Sequence, residues 1–274
     1  AFYLFETLGF PFELTKEISS ENNVVIDDAE FLKLYDEHKM KSKSNKNNNQ
    51  NEINFEVDLN TFVGYELTDI KSEIIHIEEF NDRSIIFTKE NPFYYEAGGQ
   101  ISDKGSIKLD NDLIDITNVY QSSNGSIGIE VQKNIFEVGQ EIELNVDQSF
   151  RSGVSKSHTA AHIVHSSLRN ILGDHVAQAG SNVSPGKFRF DFSHTEKVSN
   201  DELNEIFTLS NNAVFNDYQV QTNIMNIDLA KKEGALAFFG DKYDDDVRVV
   251  SIGDFSKELC GGTHVHNSHD VGLI

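Results

Sequence analysis

Short runs of alternating hydrophobic and polar residues fill the middle of the chain. Their period of two places successive side chains on opposite faces of a β-strand. Glycine, asparagine and aspartate separate the runs and favour turns between them. The pattern therefore predicts an antiparallel β domain, a small barrel, with strands at residues 74–80, 85–88, 107–109, 127–131 and 141–146.

The spacing becomes helical after this region. Ser157 is a suitable N-cap and Gly173 a suitable C-cap, so we expect a helix over residues 157–172. Its apolar face recurs at intervals of three and four residues, at Ala161, Val164, Leu168 and Ile171.

Helices and strands are mixed in the rest of the chain. Pro185 and Gly186 predict a turn into residues 187–192, where phenylalanine alternates strictly with charged residues. A capping box at residues 199–202 opens another predicted helix. Further strands are predicted at 218–225, 235–239 and 247–252, with a short helix at 228–233. This order favours an α+β fold over a doubly wound sheet.

Composition and charge narrow the functional classes. A hydrophobic content of 38% supports a packed core, and a net charge of −22 argues against nonspecific nucleic-acid binding. Basic residues nevertheless cluster locally, at Arg151, Lys156, Arg169, Lys187, Arg189 and Lys197. One cysteine permits no internal disulfide. Since the sequence shows neither a signal peptide nor a long apolar run, we expect a cytoplasmic protein with no membrane partner.

The sequence divides into four predicted regions. Residues 1–40 include a capping box at 27–30, and residues 41–54 form a polar, low-complexity linker. Residues 55–150 form the β-barrel, and residues 151–274 carry the candidate chemistry. The first residues already resemble the interior of a domain, so we expect a segment of a longer protein.

Two motifs about a hundred residues apart suggest a metal site. His158 and His162 are four residues apart and share one helix face. Cys260 and His264 flank two glycines, which favour a tight loop over a helix. Three imidazoles and one thiolate suit Zn²⁺ best among common metals. The helix lacks the glutamate of an H-E-x-x-H motif, which argues against a metalloprotease.

Two further features have both a structural and a functional interpretation. Gly98 and Gly99 could form an ordinary hairpin turn, or could let backbone N–H groups approach a ligand. Arg189 and Asp191 lie on the polar face of the alternating run at 187–192. They could face solvent or line a pocket.

Several motifs together resemble the editing region of bacterial-type alanyl-tRNA synthetases. Residues 9–15 (GFPFELT) are similar to the end of that family's helical tRNA-recognition region. The stronger matches are residues 93–100 (FYYEAGGQ), 158–162 (HTAAH), 178–181 (QAGS), 189–194 (RFDFSH), 234–243 (GALAFFGDKY) and 258–264 (ELCGGTH). The resemblance implies a short helical segment, a β-barrel and an α+β editing module that threonyl-tRNA synthetases share.

The resemblance also implies an activity, the hydrolysis of the aminoacyl ester of tRNA(Ala) mischarged with serine or glycine. It implies one Zn²⁺ held by His158, His162, Cys260 and His264. Candidate catalytic residues are Gln178, Cys260, Thr159 and Thr263. Candidate substrate and tRNA contacts are Gly98, Gly99, Gln100, Ser181, Arg189 and Asp191. ATP and Mg²⁺ would serve only the alanine-attaching domain of the parent enzyme, which this segment does not show.

The editing reaction has a physical rationale. A pocket that accepts alanine cannot strongly reject glycine or serine, since discrimination is limited to roughly 1–3 kcal/mol per methylene-sized difference. A second site can select serine by bonding its hydroxyl, and Thr159, Gln178 and Thr263 are candidates for that contact. Four protein ligands would close a tetrahedral site. Either His264 or another ligand is therefore loose and zinc activates water, or zinc mainly positions substrate and holds the pocket. A free-standing editing protein and a non-catalytic zinc-stabilised RNA-binding module are the alternatives.

Overall fold

The computed structural model describes residues 57–236 and 244–274 except 134, together with 2–3, 12, 15–16, 19, 24, 26–27, 30–35 and 52–53. The chain forms two compact units, residues 1–52 and 53–274. In the first unit, residues 30–35 are helical, and the Glu30 N–H donates to Asp27 Oδ1 at 3.0 Å. The cap predicted there is therefore present. The predicted linker lies outside the described residues apart from 52–53.

Six antiparallel strands of the second unit close into a barrel. The strands up to residue 146 are β1 (Glu52–Ile53), β2 (Thr61–Phe62), β3 (Asp69–Glu79), β4 (Ser84–Thr88), β5 (Glu90–Asn91), β6 (Gly105–Leu109), β7 (Asp112–Ser122), β8 (Ile127–Val131) and β9 (Glu141–Val146). The order around the barrel is β7-β6-β9-β3-β4-β8, and β7 also pairs with β8. β2 and β5 form a separate parallel pair.

The barrel interior is filled by β-branched and leucine side chains. Five of these side chains are at most 1% exposed and pack in one cluster: Ile74, Ile107, Ile129, Ile142 and Leu144. All five strands predicted from alternation are present, and those at 127–131 and 141–146 have the predicted bounds.

Strand β7 was missed by the sequence prediction. Asp112, Asp115 and Asn118 suggest turns, because these residue types favour turn conformations. In the structure the two aspartates occupy exposed positions of β7, while Ile114 and Val119 are buried. Alternation between the barrel core and solvent therefore outweighs the local turn preference.

The helix predicted to begin at Ser157 begins nine residues earlier. Helix α1 spans Gln148–Leu172, and the Asp147 side chain caps it by accepting from the Phe150 N–H at 2.9 Å. Ser157 is buried within the helix, so its predicted capping role is wrong. The C-cap at Gly173, with φ of 112°, is confirmed. No helix among the described residues has the length and apolar character needed to span a bilayer.

A hairpin and a second helix pack against α1. The hairpin consists of β10 (Gln178–Ser184) and β11 (Lys187–Phe192), joined by the predicted Pro185–Gly186 turn. Helix α2 (Asn200–Phe215) begins with the predicted capping box at Ser199 and Glu202. Phe190 and Phe192 of the hairpin pack against a cluster that includes Leu168 of α1 and Ile206 of α2.

A three-stranded antiparallel sheet completes the second unit. It consists of β12 (Val220–Asn226), β13 (Asp246–Ile252) and β14 (Ser256–Leu259). Helix α3 (Ile227–Lys232) follows β12, and a 3₁₀ helix spans Ser268–Val271. The strand predicted at 235–239 lies mostly outside the described residues, although Leu236 forms a bridge with Glu258. The expected α+β class, with a barrel and a further α+β module, is confirmed.

A buried ion pair joins α1 to the loops beside the barrel. Arg151 Nε donates to Asp103 Oδ1 at 2.8 Å, and its Nη2 donates to Asp103 Oδ2 and, at 2.8 Å, to the Pro92 carbonyl. The remaining nitrogen, Nη1, donates to the Gly64 carbonyl. Arg151 is therefore not an exposed member of the predicted basic cluster, because its guanidinium is committed to the protein interior.

We expect Arg151→Leu to lower the free energy of unfolding by roughly 3–5 kcal/mol, because Asp103 would be left buried without its cation. Urea unfolding followed by circular dichroism measures this change. Lys156→Ala, at an exposed position of the same helix, should change stability by no more than about 0.5 kcal/mol. Equal stability of the two variants would contradict a structural role for the ion pair.

Candidate metal centre

Four side chains from α1 and the loop after β14 converge on one point. One ligand atom from each of His158, His162, Cys260 and His264 lies within 4.8 Å of all the others. Cys260 Sγ is 3.4 Å from Nε2 of His158 and 3.4 Å from Nε2 of His264. Zn–N and Zn–S bonds of about 2.0 and 2.3 Å at tetrahedral angles would separate such atoms by roughly 3.5 Å. The cluster could therefore hold a metal ion.

Each imidazole is oriented by a hydrogen bond at its outward nitrogen. Nδ1 of His158 is 2.8 Å from Gln100 Oε1, and Nδ1 of His264 is 3.1 Å from Thr159 Oγ1. Nδ1 of His162 is 2.9 Å from a carboxylate oxygen of Glu258. These bonds turn the three Nε2 atoms inward, an arrangement typical of histidine ligands in metal sites.

One inward nitrogen is left without a protein partner. Nε2 of His162 is buried, and within the described part of the chain it makes no hydrogen bond. A buried polar atom in this condition costs roughly 1–3 kcal/mol unless something binds it. A cation at the centre of the cluster would satisfy it.

The loop that carries Cys260 and His264 depends on Gly262. A Cβ atom at this position would lie 2.0 Å from His158 Cε1 and 2.9 Å from Gln100 Oε1. Any larger residue would therefore displace an imidazole of the cluster. Arg248 of β13 fixes the same loop by donating to the Cys260 and Gly262 carbonyls, each at 2.8 Å.

Burial and charge set the protonation of the centre. Burial by itself would raise the pKa of the Cys260 thiol. The neighbouring histidines have the larger, opposite effect and bring this pKa well below 9.0; they are His158, His162 and His264. Burial lowers the pKa of His264 to about 3. Burial also opposes ionisation of Glu258, yet the adjacent His162 brings its pKa down to about 2. Near neutral pH the thiolate, the neutral His264 and the carboxylate are forms suited to a bound cation.

The surroundings of His162 favour positive charge. Burial lowers its pKa, but the charges of Glu258 and Cys260 raise it well above 6.5. The negative charges of Glu258 and Cys260 therefore favour positive charge at this position, which a bound cation would supply.

A cavity of about 320 Å³ opens beside the cluster. Its wall combines His158, His162 and Cys260 with polar groups from the hairpin, and Gln178 Nε2 donates to Ser181 Oγ at 3.0 Å. A small polar ligand in this cavity would touch the metal ligands and the hairpin together.

Gly98 and Gly99 form the turn expected from the sequence and also lie at the site. Their φ values are 58° and 83°, and Ala97 and Gln100 exchange backbone hydrogen bonds across them. A Cβ atom at Gly99 would lie 2.2 Å from Ser181 Oγ. The glycines thus allow the turn to pack directly against the hairpin, and Gly98 borders the cavity.

Comparison with known proteins agrees with this architecture. The family described as tRNA synthetases class II (A) matches residues 1–150, and the threonyl and alanyl tRNA synthetase second additional domain matches residues 247–274. The chain belongs to this class II (A) tRNA synthetase family. An alanine–tRNA ligase of Caldicellulosiruptor saccharolyticus is 37% identical over 293 aligned positions, which cover 100% of this chain and 33% of the relative. The chain thus spans about a third of that relative's length.

Apart from Gly99, Arg189 and Asp191, the predicted site residues fall into three groups. The four predicted ligands come together. Gln178, Ser181 and Gly98 border the cavity. Thr159, Thr263 and Gln100 are buried behind the ligands, where they contact His264, Ser155 and His158 respectively.

Arg189 and Asp191 lie apart from the cavity wall. Arg189 Nε donates to Asp191 Oδ1 at 2.8 Å, and the arginine side chain is 74% exposed. The pair therefore lies on the solvent face of β11, the first of the two interpretations that the sequence left open. A contact with RNA phosphate stays a prediction for Arg189.

Sequence reasoning missed Glu258 as a supporting residue. Its carboxylate also lies 3.0 Å from His165 Nδ1 and accepts from Ser256 Oγ at 3.0 Å, at 1% exposure. A charged residue two positions before the only cysteine was the available signal. It could not be interpreted without knowing that α1 packs against β14.

We expect Glu258→Gln to weaken metal binding roughly 10- to 100-fold, because the amide orients His162 less strongly than a carboxylate does. Competition with a chromophoric zinc chelator measures the affinity. Glu233→Gln is the matched control, since Glu233 pairs with Lys257 at the surface. Unchanged affinity in Glu258→Gln would show that the carboxylate does not support the centre.

The lowered pKa of Cys260 predicts a pH profile for the metal-free chain. Because the thiolate persists below the ordinary thiol pKa, alkylation by iodoacetamide after chelation should stay on its plateau as the pH falls from about 9 to 7. An ordinary thiol would lose most of its rate over this interval. Mass spectrometry of this only cysteine measures the rate, and a midpoint near 9 would contradict the lowered pKa.

Proposed function

We propose that this chain is the editing region of an alanine–tRNA ligase, which hydrolyses the ester of tRNA(Ala) mischarged with serine or glycine. The main support is the four-ligand cluster, of which His158, His162 and Cys260 lie in the wall of a cavity of about 320 Å³. Membership of the synthetase family and the match to a domain of threonyl and alanyl enzymes agree with this assignment.

The donor set fits zinc as the resident ion. Three imidazole nitrogens and one thiolate are ligands that zinc prefers, and the buried, unpartnered His162 Nε2 leaves a place for it. When bound, zinc would supply a Lewis acid that can polarise an ester carbonyl or water. Because four protein ligands already complete a tetrahedron, we propose that its main contribution is to fix the cavity wall.

Recognition of the serine hydroxyl is proposed for Gln178. Its carboxamide lies in the cavity wall and is held by a hydrogen bond to Ser181 Oγ. Alanine cannot satisfy a group aimed at a hydroxyl, so a correctly charged tRNA would leave that group unpaired. Selection of serine over alanine would then come from the cost of the unmade hydrogen bond.

Thr159, Thr263 and Gln100 are proposed as positioning residues. Gln100 accepts from the Thr263 N–H at 2.9 Å while it also contacts His158, so one side chain fixes a ligand and the loop. Thr159 fixes His264 and accepts from the Val265 N–H at 3.3 Å. Their burial behind the ligands favours this supporting role over contact with substrate.

The remaining activities would belong to parts of a longer protein. Attachment of alanine with ATP and Mg²⁺ is proposed for the two thirds of the relative's length that this chain does not span. A non-catalytic, zinc-stabilised RNA-binding module is the second candidate, because a complete set of four ligands is typical of structural zinc sites. The two candidates differ in whether the ester is cleaved.

Deacylation of Ser-tRNA(Ala), Gly-tRNA(Ala) and Ala-tRNA(Ala) by the zinc-loaded chain tests the proposal. We expect faster hydrolysis of the first two than of the third. Gln178→Ala should lower kcat/KM for Ser-tRNA(Ala) by roughly 2- to 13-fold, the effect of losing one neutral hydrogen bond. It should leave Gly-tRNA(Ala), which has no side-chain hydroxyl, almost unchanged.

Zinc content and Cys260→Ala provide the controls. Gln178→Ala should retain zinc, whereas Cys260→Ala should lose both zinc and hydrolysis. Absence of hydrolysis by the zinc-loaded wild-type chain would favour the binding module. Full activity of a zinc-free Cys260→Ala variant would remove the metal from the proposed function.

A further inference from the structure

A second cavity, of about 290 Å³, adjoins the metal cavity. The two cavities share Gly98 and Gly261 in their linings. The cavities therefore adjoin at these two residues, neither of which places a side chain between them.

Four aromatic rings line the second cavity. We call it the aromatic cavity, and the rings are those of Phe62, Tyr65, Tyr94 and Tyr95. The Tyr94 and Tyr95 rings are nearly parallel, at 14° and 5.9 Å between centroids. Phe62 packs edge-on against Tyr65 at 4.9 Å, so the rings support one another in fixed positions.

None of the described residues that line the aromatic cavity has a charged side chain. Gln121, on β7, adds a carboxamide to its wall. A flat, uncharged ring system with hydrogen-bonding edges fits this combination, because it can stack on tyrosine and pair with the carboxamide. A phosphate group or a fully apolar chain would fit it less well.

A cation–π pair connects the walls of the two cavities. The Arg248 guanidinium, which lines the metal cavity, lies 4.0 Å from the centre of the Tyr65 ring in the aromatic cavity. Arg248 and Tyr65 also both donate to carbonyls of the loop at 260–262. The loop that holds the metal ligand thus also sets the distance between the two cavities.

We propose that the aromatic cavity binds the terminal adenine base of the substrate while the metal cavity holds its aminoacyl group. This inference rests on the proposed function, since an aminoacyl ester of tRNA is attached to the ribose of the terminal adenosine. The base must then lie one ribose away from the ester. The aromatic cavity adjoins the metal cavity and has the surface that stacks a base.

Binding of two RNAs to two matched variants tests this assignment. The RNAs are uncharged tRNA(Ala) with and without its terminal adenosine. The variants of the zinc-loaded chain are Tyr95→Phe, which keeps a stacking ring, and Tyr95→Leu, which keeps apolar bulk without it. Leu113→Ala, exposed on β7 outside the aromatic cavity, is the control for nonspecific effects.

We expect the terminal adenosine to tighten binding roughly 5- to 150-fold in the wild type, Tyr95→Phe and Leu113→Ala, which is the range for one stacked base. Tyr95→Leu should lose most of this ratio and bind the truncated RNA as the wild type does. Gln121→Ala should reduce this affinity ratio without a change of zinc content. It provides a second test of the assignment if Tyr95→Leu does not fold. An undiminished ratio in Tyr95→Leu and Gln121→Ala, or no effect of the adenosine in the wild type, would overturn the assignment.

Deacylation separates the failure of this inference from that of the proposed function. If the wild type hydrolyses Ser-tRNA(Ala) and Tyr95→Leu has the same KM, the base binds elsewhere and the editing function stands. If the wild type binds the adenosine but hydrolyses no aminoacyl-tRNA, the aromatic cavity stands and the editing function fails. A higher KM in Tyr95→Leu, with kcat and zinc content retained, would support both.

Discussion

The candidate centre depends on the hydrogen bonds that hold the outward nitrogens of its three histidines. An imidazole can rotate about two side-chain bonds, so proximity alone does not aim its Nε2 at a metal. Gln100, Glu258 and Thr159 each remove that freedom for one ring. Their contribution explains why the ligands share a position to within 4.8 Å although they come from α1 and a distant loop.

These supports link the barrel to the module that carries the ligands. Gln100 follows the Gly98–Gly99 turn of the barrel region, whereas His158 belongs to α1 and Thr263 to the loop after β14. The ion pair of Arg151 with Asp103 holds the same two parts together a short distance along α1. The barrel therefore contributes directly to the geometry of the site.

Much of the fold follows from periodicity, and the four ligands follow from residue type and spacing. The barrel strands, the Pro185–Gly186 hairpin and the Ser199 cap depend on local rules, which the sequence displays. The start of α1 escaped prediction because glycine, here Gly153, disfavours a helix interior. In the structure Gly153 lies against Pro185, and a Cβ atom at this position would come within 2.9 Å of the proline side chain. Glu258 and Arg151 escaped because their roles depend on partners more than forty residues away.

The sequence separation of the ligands has a consequence for biosynthesis. His158 and Cys260 are 102 residues apart, and closing a flexible loop of that length costs roughly 4 kcal/mol in chain entropy. Because translation proceeds from the N-terminus, the helix, the hairpin and most of the last sheet emerge before the thiol does. Coordination would thus follow the synthesis of both segments, and it would require that the helix and the last sheet have already reached their native positions.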